Sequence, residues 1–525
     1  MVLHLTEYLA NTVQRAPARV AVFESDDRQL TYAELDRQSN ALAAFLVERG
    51  ITRGDRVAVV LPKSIEAVVA FFGVLKTGAA YVPVDAHAPA ERSGQILADC
   101  RVSAAIVHHA AHDAVARART NGHDIRIVID QGSPQPAALH HALEHILAEH
   151  AAPLSIAHAS DDLAYVIYTS GSTGVPKGAQ ITHANAISYI EWCAKTFQPT
   201  EDDRFSAHPP FHFDASVQDI YLTIRLGATM FLIGDHLGKS PRDLARFVAR
   251  HRVSFWTSTP SSLTLLLQFG QLSDCDMSSL RVVMFGGEVF PVKHLRALKH
   301  LWPIATFYNA YGPTETTTTC TLYRIPDVIP ADRVDPYPIG QPCDHCQALV
   351  LDEDGHEVID GEPGVLHIAG SSVFAGYWNR PAENAAALSV RNGVRWYRTG
   401  DVVRSSPEGF VYLGRNDRMV KRRGYRIELG EIERVLYEHP RVREAATLSI
   451  PDADEGIRIA AFVACHDGGA LTMIELKTFC ATKLPPYMIP DRFIVEAQLP
   501  VTSTGKIDYQ QLKALDVPRS AAGAA

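Results

Sequence analysis

"YTSGSTGVPKG", Tyr168–Gly178, follows directly on the strand-like run AYVIY and holds three Gly, one Lys and, Tyr168 aside, four hydroxyl side chains. So many backbone N–H groups and hydroxyls around one cation suit a phosphate group. The common nucleotide loop, G-x-x-x-x-G-K-[ST], has Lys directly after Gly, whereas here Pro176 separates Val175 from Lys177. Another kind of phosphate grip is implied.

Working outward, the run sits in a rhythm of apolar helices and short strands. ELDRQSNALAAFLVERG (Glu34–Gly50) spaces its apolar residues by three and four and stops at Gly50, as a helix does. RVAVVLP (Arg56–Pro62) reads as a buried strand and SIEAVVAFFGVLKTG (Ser64–Gly78) as a second helix; LAYVIYTSG and LRVVMFGGE continue the alternation. That alternation predicts an α/β fold of largely parallel sheets flanked by helices. Ligands on such sheets sit at the carboxyl ends of strands, where the opening loop lies.

The chain of 525 residues exceeds one ordinary core, and its 46% hydrophobic and 21% charged composition is that of a globular protein. A net charge of −9 argues against a general nucleic-acid binder. MVLHLTEYL at the start lacks the features of a signal peptide, and no apolar run approaches the roughly 18–20 residues that span a bilayer. A cytoplasmic location is expected. The eight Cys are scattered, as for reduced thiols. Cys343 and Cys346 in CDHC have metal-like spacing, but no second pair follows, so a packing role is expected. From Asp401 onward the texture turns dense in Arg, Lys and Glu, and PRSAAGAA at the end reads as a disordered tail.

Three further stretches give the loop its meaning: NAYGPTE (Asn309–Glu315), YRTGD (Tyr397–Asp401) and TGKIDY (Thr504–Tyr509). With them the chain resembles an adenylate-forming enzyme, specifically the amino-acid adenylation domain of nonribosomal peptide synthetases. The resemblance spans nearly the whole chain: LTYAEL (Leu30–Leu35) and LKTGAAYVPVD (Leu75–Asp85) match early motifs, GRNDRMVKRRGYRIELGEIE (Gly414–Glu433) and LPPYMIP (Leu484–Pro490) later ones. Met419 and Arg422 depart from the usual Gln and apolar residue. The resemblance implies a large N-terminal core over 1–414, a hinge at 415–417 in which Asp417 matches the family's hinge position, and a small mobile α+β subdomain over 418–525.

It also implies a chemistry. A carboxylate attacks the α-phosphorus of ATP and expels pyrophosphate; the acyl adenylate then passes its acyl unit to a thiol. Negative charge crowds the first step, so catalysis there is positioning and electrostatic stabilisation. By the resemblance, Thr169, Ser170, Gly171, Ser172, Thr173, Gly174 and Lys177 hold the β- and γ-phosphates. Thr314 bonds the α-phosphate, and Glu315 ligates Mg²⁺, a cation that favours hard oxygen donors. Tyr311 lies against adenine, with Gly287, Glu288 and Asn309 around it. Asp401 accepts the ribose hydroxyls with Arg415 assisting, and Lys506 bridges the substrate carboxylate and the α-phosphate. Alone, a surface Lys is usually solvated and an Asp after Gly is usually a turn residue. The order of the motifs is what lends these residues a function.

Within HPPFHFDASVQDIY (His208–Tyr221), Asp214 occupies the position that pairs with an amino acid's α-ammonium group. A buried carboxylate needs such a partner. The resemblance places Ala215, Gln218, Ser258, Met284, Gly286, Ala310, Thr318 and Thr319 around the side chain. No charge apart from Asp214 and Lys506 lines this pocket, so a charged substrate side chain is disfavoured. With Met284 and Gln218 protruding, a small neutral amino acid (alanine, serine or glycine) is expected. Proline is the alternative, because Gln at the position of Gln218 also occurs in proline-activating pockets.

Nineteen residues follow Lys506, too few for a carrier domain. A stand-alone ligase of natural-product (antibiotic) biosynthesis is therefore expected, loading the phosphopantetheine thiol of a separate carrier protein. Carrier proteins are usually acidic, and Arg415, Arg418, Lys421, Arg422, Arg423 and Arg426 form a basic set; Arg422 and Arg423 are the docking candidates. By the resemblance His212 stands near the aromatic gate position before Asp214, where either a part in the pantetheine entrance or plain packing is expected. An acyl- or aryl-CoA ligase, the nearest rival, usually lacks Asp214; a non-catalytic scaffold has no need of Lys177, Glu315 and Lys506 together.

Overall fold

The computed structural model describes residues 2–132, 140–171, 175–452, 456–466, 471–501 and 507–513. The expected tail and Lys506 lie outside the described residues. Local signals set the elements much as read. Thr31 and Glu34 cap each other reciprocally at the start of the helix Tyr32–Glu48, and Gly50 leaves it at φ +86°. Ser64 caps the helix Ile65–Lys76 by accepting from the Ala67 N–H. The two helices pack closely at Gly73, where a Cβ would stand 2.7 Å from a Leu42 methyl.

The described residues divide into two compact units. Residues 2–87, 93–169 and 177–416 form the first; 88–92, 170–176 and 417 onward form the second. Among the described residues the first unit holds three sheets. One has eight strands, in the order Gly376–Tyr377, Lys177–Thr182, Leu163–Thr169, Ala80–Pro83, Arg56–Val60, Ala104–His108, Ile127–Gln131, His140–Ala142. From Leu163–Thr169 on, every pairing is parallel. The second, nine-stranded sheet has Arg204–Ala207, Phe255–Ser258, Val282–Gly286 and Thr306–Tyr311 as parallel neighbours at its centre. The helix Ile65–Lys76 is buried along most of its length, as its nearly unbroken apolar sequence requires. The third sheet is antiparallel and includes Val394–Arg404 and its partner Val411–Arg415.

The second unit is α+β. Met419–Arg422 and Tyr425–Glu428 make a hairpin, followed by the helix Leu429–Tyr437. Val442–Asp452, Gly456–Cys465 and Arg492–Glu496 form a three-stranded sheet. Among the described residues no helix is long and apolar enough to cross a membrane.

Candidate active site

Asp401 does not sit in a turn, as Gly-Asp alone suggests, but within the strand Val394–Arg404, directly opposite Arg415. Only 1% exposed, its carboxylate accepts from Arg415 Nη1 at 2.7 Å and from the Tyr311 hydroxyl. Burial, with the charge of Asp401, pushes the Tyr311 phenol well above its ordinary range, so it stays a donor. A buried carboxylate with one cation and one phenol is the kind of paired site that survives desolvation. Tyr311 ends the strand Thr306–Tyr311, and Asn309 on the same strand spends its amide on the Pro338 carbonyl at 2.8 Å. Gly287 turns the chain at φ +85°, and Glu288 caps the helix Pro260–Phe269, accepting from the N–H and hydroxyl of Ser261.

The glycine-rich loop leaves one strand at Thr169 and re-enters the next at Lys177, which pair across the two strands. Ser170 and Gly171 belong to the second unit's described residues; Ser172, Thr173 and Gly174 lie outside the described residues. Lys177 is buried, its ammonium 5.1 Å from the centre of the Tyr377 ring. Thr314 and Glu315 open a single tight turn, Thr314–Thr316, and the fully buried Glu315 accepts from the Tyr377 hydroxyl at 2.5 Å. Tyr377 thus touches two expected site residues, and sequence reasoning missed it. Its context, FAGYWNRP, offers Gly and Pro punctuation and a single Arg, with no acidic residue or phosphate-type motif to mark it.

Beyond that turn, Thr317 and Thr318 stand at φ 53° and 74°, a left-handed region that β-branched residues rarely adopt. Hydroxyls hold them there: Thr317 donates to the Ser372 carbonyl at 2.7 Å and Thr318 to the Asp214 carbonyl at 3.0 Å. Gly312 permits the close return, since a Cβ there would lie 2.2 Å from the Thr318 oxygen. Asp214 and Ala215 lie half-buried on the turn before the π-type turn Gln218–Leu222, a feature frequent at functional sites. Burial raises the Tyr165 phenol well above its ordinary range, with the neighbouring Tyr81 and then Asp214 adding to it.

Two expectations about the pocket are corrected by register and hydrogen bonding. Thr257 pairs with Met284, whereas Ser258 pairs with Phe285 on the opposite pleat. The Ser258 hydroxyl accordingly meets His208 Nδ1 at 3.2 Å, beside the Trp256 indole, so Thr257 rather than Ser258 shares the face of Met284 and Gly286. Gln218 does not protrude. It is fully buried, its carbonyl accepting from the Tyr189 hydroxyl at 2.7 Å and its amide donating to Thr257 Oγ1 at 3.1 Å. Met284 is likewise buried, and Thr319 lies 3.4 Å from the same Tyr189 hydroxyl. Gly286 and Ala310 are direct neighbours across two strands; a Cβ on Gly286 would stand 2.3 Å from the Ala310 oxygen.

In the second unit, Arg422 cannot present a charge to a partner. It is 5% exposed and spends its guanidinium on the carbonyls of Tyr487 and Ile489 and on Asp491. Arg418 is paired with Glu433 at 2.6 Å. Arg423 is exposed at the tip of the hairpin, at φ 52° beside Gly424 at φ 80°. Asp417, the first residue of the second unit's main segment, accepts from the Met419 N–H at 3.2 Å. His212 is half-buried next to Phe213. Cys343 and Cys346 are both buried, and Cys346 Sγ lies 3.0 Å from the Ser372 hydroxyl. Among the described residues the only trio spaced to hold a metal is the exposed Asp352, Asp354 and His356.

The fold is that of adenylate-forming enzymes. Residues 9–378 match the AMP-binding enzyme family and 431–506 its C-terminal domain; the chain belongs to that family of enzymes. It is 37% identical over 512 residues to an L-proline–[L-prolyl-carrier protein] ligase of Pseudomonas fluorescens, covering 96% of this chain and 97% of that protein. A Streptomyces coelicolor protein of the same name is 38% identical over 523 residues, covering 98% and 96%. The Vibrio cholerae adenylation domain AlmE, solved with glycyl-adenosine-5'-phosphate, shares the fold at a TM-score of 0.82 and 24% identity, over 98% of both chains.

Proposed function

We propose that this protein activates proline as prolyl adenylate and passes the prolyl group to the phosphopantetheine thiol of a separate carrier protein. The observation that carries the reading is the near end-to-end similarity to two proline–carrier protein ligases. The pocket supports it. Asp214 would offer its carboxylate to a ring ammonium, and Gln218, bonded to Tyr189 and Thr257, would wall the substrate's side together with Met284, Gly286 and Ala310. The expectation of alanine, serine or glycine rested on protruding Met284 and Gln218, and both side chains are buried.

In the first step a carboxylate oxygen of the amino acid attacks the α-phosphorus of ATP, and the bond to the bridging oxygen breaks to release pyrophosphate. Asp401 and Arg415 hold the ribose, Tyr311 the base, and Lys177 balances phosphate charge. Glu315 is a hard oxygen donor, so the residues present fit Mg²⁺, which when bound neutralises phosphate charge. Lys506 is assigned to the reacting carboxylate by its motif alone. In the second step the thiol sulfur attacks the acyl carbon, the bond to AMP breaks, and the thiol proton passes to solvent. Rotation of the second unit about Asp417 would exchange the residues that attend each step. Arg423 is the remaining docking candidate.

Amino-acid-dependent ATP–pyrophosphate exchange across the twenty standard amino acids tests this directly. Proline is expected to give the highest kcat/KM. A peak at alanine, serine or glycine would return the small-substrate reading, and turnover only with simple acids and coenzyme A would overturn the carrier ligase altogether.

A further inference from the structure

The two-residue strand Gly376–Tyr377 pairs antiparallel with Lys177–Thr182, Tyr377 facing Ala179 and Gly376 facing Gln180. Its backbone is fixed from both sides. Ala375 donates to the Gln180 carbonyl at 2.9 Å and Trp378 to the Gly178 carbonyl at 2.8 Å. From the helix Pro381–Ala387, Asn384 closes a clamp: its Oδ1 accepts from the Tyr377 N–H at 2.7 Å and its Nδ2 donates to the Tyr377 carbonyl at 3.0 Å. Gly376, at φ +133°, gives the clamp room, since a Cβ there would lie 3.1 Å from Asn384 Oδ1.

From this fixed backbone the Tyr377 side chain meets both charges of the phosphate end. Its hydroxyl donates to Glu315 Oε1 at 2.5 Å, and its ring faces the Lys177 ammonium at 5.1 Å. All three side chains are buried, Glu315 completely. A hydrogen bond to a buried carboxylate is stronger than one between neutral groups and selects one rotamer of the acid. The ring face attracts the ammonium without neutralising it. One side chain therefore contacts both a carboxylate and an ammonium group.

We propose that Tyr377 is a positioning residue for the metal–nucleotide end of the site, fixing the Glu315 carboxylate through its hydroxyl and the Lys177 ammonium through its ring, with Asn384 as the clamp that sets its backbone. The proposal rests on the roles given above to Glu315 and Lys177. It separates two functions of one residue, so substitutions can remove them one at a time. Tyr377→Phe removes the hydroxyl and keeps the ring; Tyr377→Leu removes both; Asn384→Ala releases the backbone and leaves the side chain intact.

The test is Mn²⁺ binding to the full chain, followed by electron paramagnetic resonance in the presence of α,β-methylene-ATP, which needs no turnover. Groups that orient a metal ligand typically change affinity by about 10–100-fold, so Tyr377→Phe is expected to weaken Mn²⁺ binding on the order of tenfold. In pyrophosphate exchange the same variant should raise the Mg²⁺ requirement and leave the KM for the amino acid unchanged. Tyr377→Leu should add a rise in the KM for ATP, and Asn384→Ala should fall between wild type and Tyr377→Phe. Mn²⁺ affinity of Tyr377→Phe equal to wild type, or equal losses in metal, ATP and amino-acid parameters, would overturn the proposal. Glu315→Gln serves as the reference: if it binds Mn²⁺ as tightly as wild type, the metal role of Glu315 and the proposal both fail, whereas an effect of Glu315→Gln without one of Tyr377→Phe removes the proposal alone.

Discussion

A glutamine amide buried beyond the reach of water must find its partners within the protein, and at Gln218 they are the hydroxyls of Tyr189 and Thr257. Replacing it with Leu, of similar size, takes one partner from each hydroxyl and leaves Tyr189 only the long 3.4 Å contact with Thr319. Leaving buried polar groups unpaired costs about 1–3 kcal/mol, so Gln218→Leu should lose roughly that much stability in urea unfolding and discriminate less between proline and alanine. Unchanged selectivity at full stability would mean that the strut does not shape the pocket. The charged candidate residues were picked out at this scale, because Asp214, Glu315, Asp401 and Lys177 each stand in a distinctive local string. Thr257 and Tyr377 were not. Thr257 differs from Ser258 only by which side of a pleat it occupies, and that depends on register with Val282–Gly286. Tyr377 meets Glu315 across 62 residues of chain, a pairing no local pattern encodes.

At the scale of elements, the hairpin Met419–Arg422 and Tyr425–Glu428 turns on Arg423 and Gly424, both in the left-handed region. Gly adopts that conformation freely, whereas Arg does so at a cost. The two neighbouring arginines differ in burial. Arg422 is bound into its own unit through Asp491 and two carbonyls, while Arg423 lies exposed. Hydrogen bonds to charged groups are worth about 1.5–3 kcal/mol, so Arg422→Ala should destabilise the protein by at least that order and lower both half-reactions together. Arg423→Glu should leave pyrophosphate exchange intact and slow transfer to an acidic carrier, more so at low salt. Equal transfer rates for Arg423→Glu and wild type would remove it from the docking surface. Helices and strands were legible here from apolar spacing and caps, as at Ser64 and Gly50. The burial of Arg422 was hidden, since its acceptors come from 65 to 69 residues further on.

For the whole molecule, the near-terminal His4 is sandwiched between His158 and His183, at ring-centre distances of 3.8 and 3.5 Å. Burial, reinforced by the neighbouring imidazoles, pushes His4 down to about 2 and His183 to about 3; burial lowers His158 as well, against the opposing charge of Asp162. The rings are therefore neutral in the fold, and the unfolded chain takes up protons that the folded chain refuses. Stability from this stack is complete above the unfolded value near 6.5 and falls as pH drops below it, by up to about 1.4 kcal/mol per pH unit for each imidazole. His158→Gln should flatten the decline in unfolding free energy between pH 6.5 and 5; an identical slope in variant and wild type would contradict this origin of acid lability. The order of motifs made the two-unit α/β plan legible from sequence. A stack joining positions 4, 158 and 183 was not, because it exists only once distant elements pack.

The central claim joins a substrate to an acceptor, so its most direct measurement reads both at once. Holo carrier protein would be incubated with the enzyme, MgATP and an equimolar mixture of the twenty amino acids, and the intact carrier weighed by mass spectrometry. The account predicts one thioester adduct, heavier by a prolyl residue, that forms only with ATP and is released by hydroxylamine. An adduct of another amino acid, or an unmodified carrier beside aminoacyl or acyl coenzyme A when that thiol is added, would contradict it.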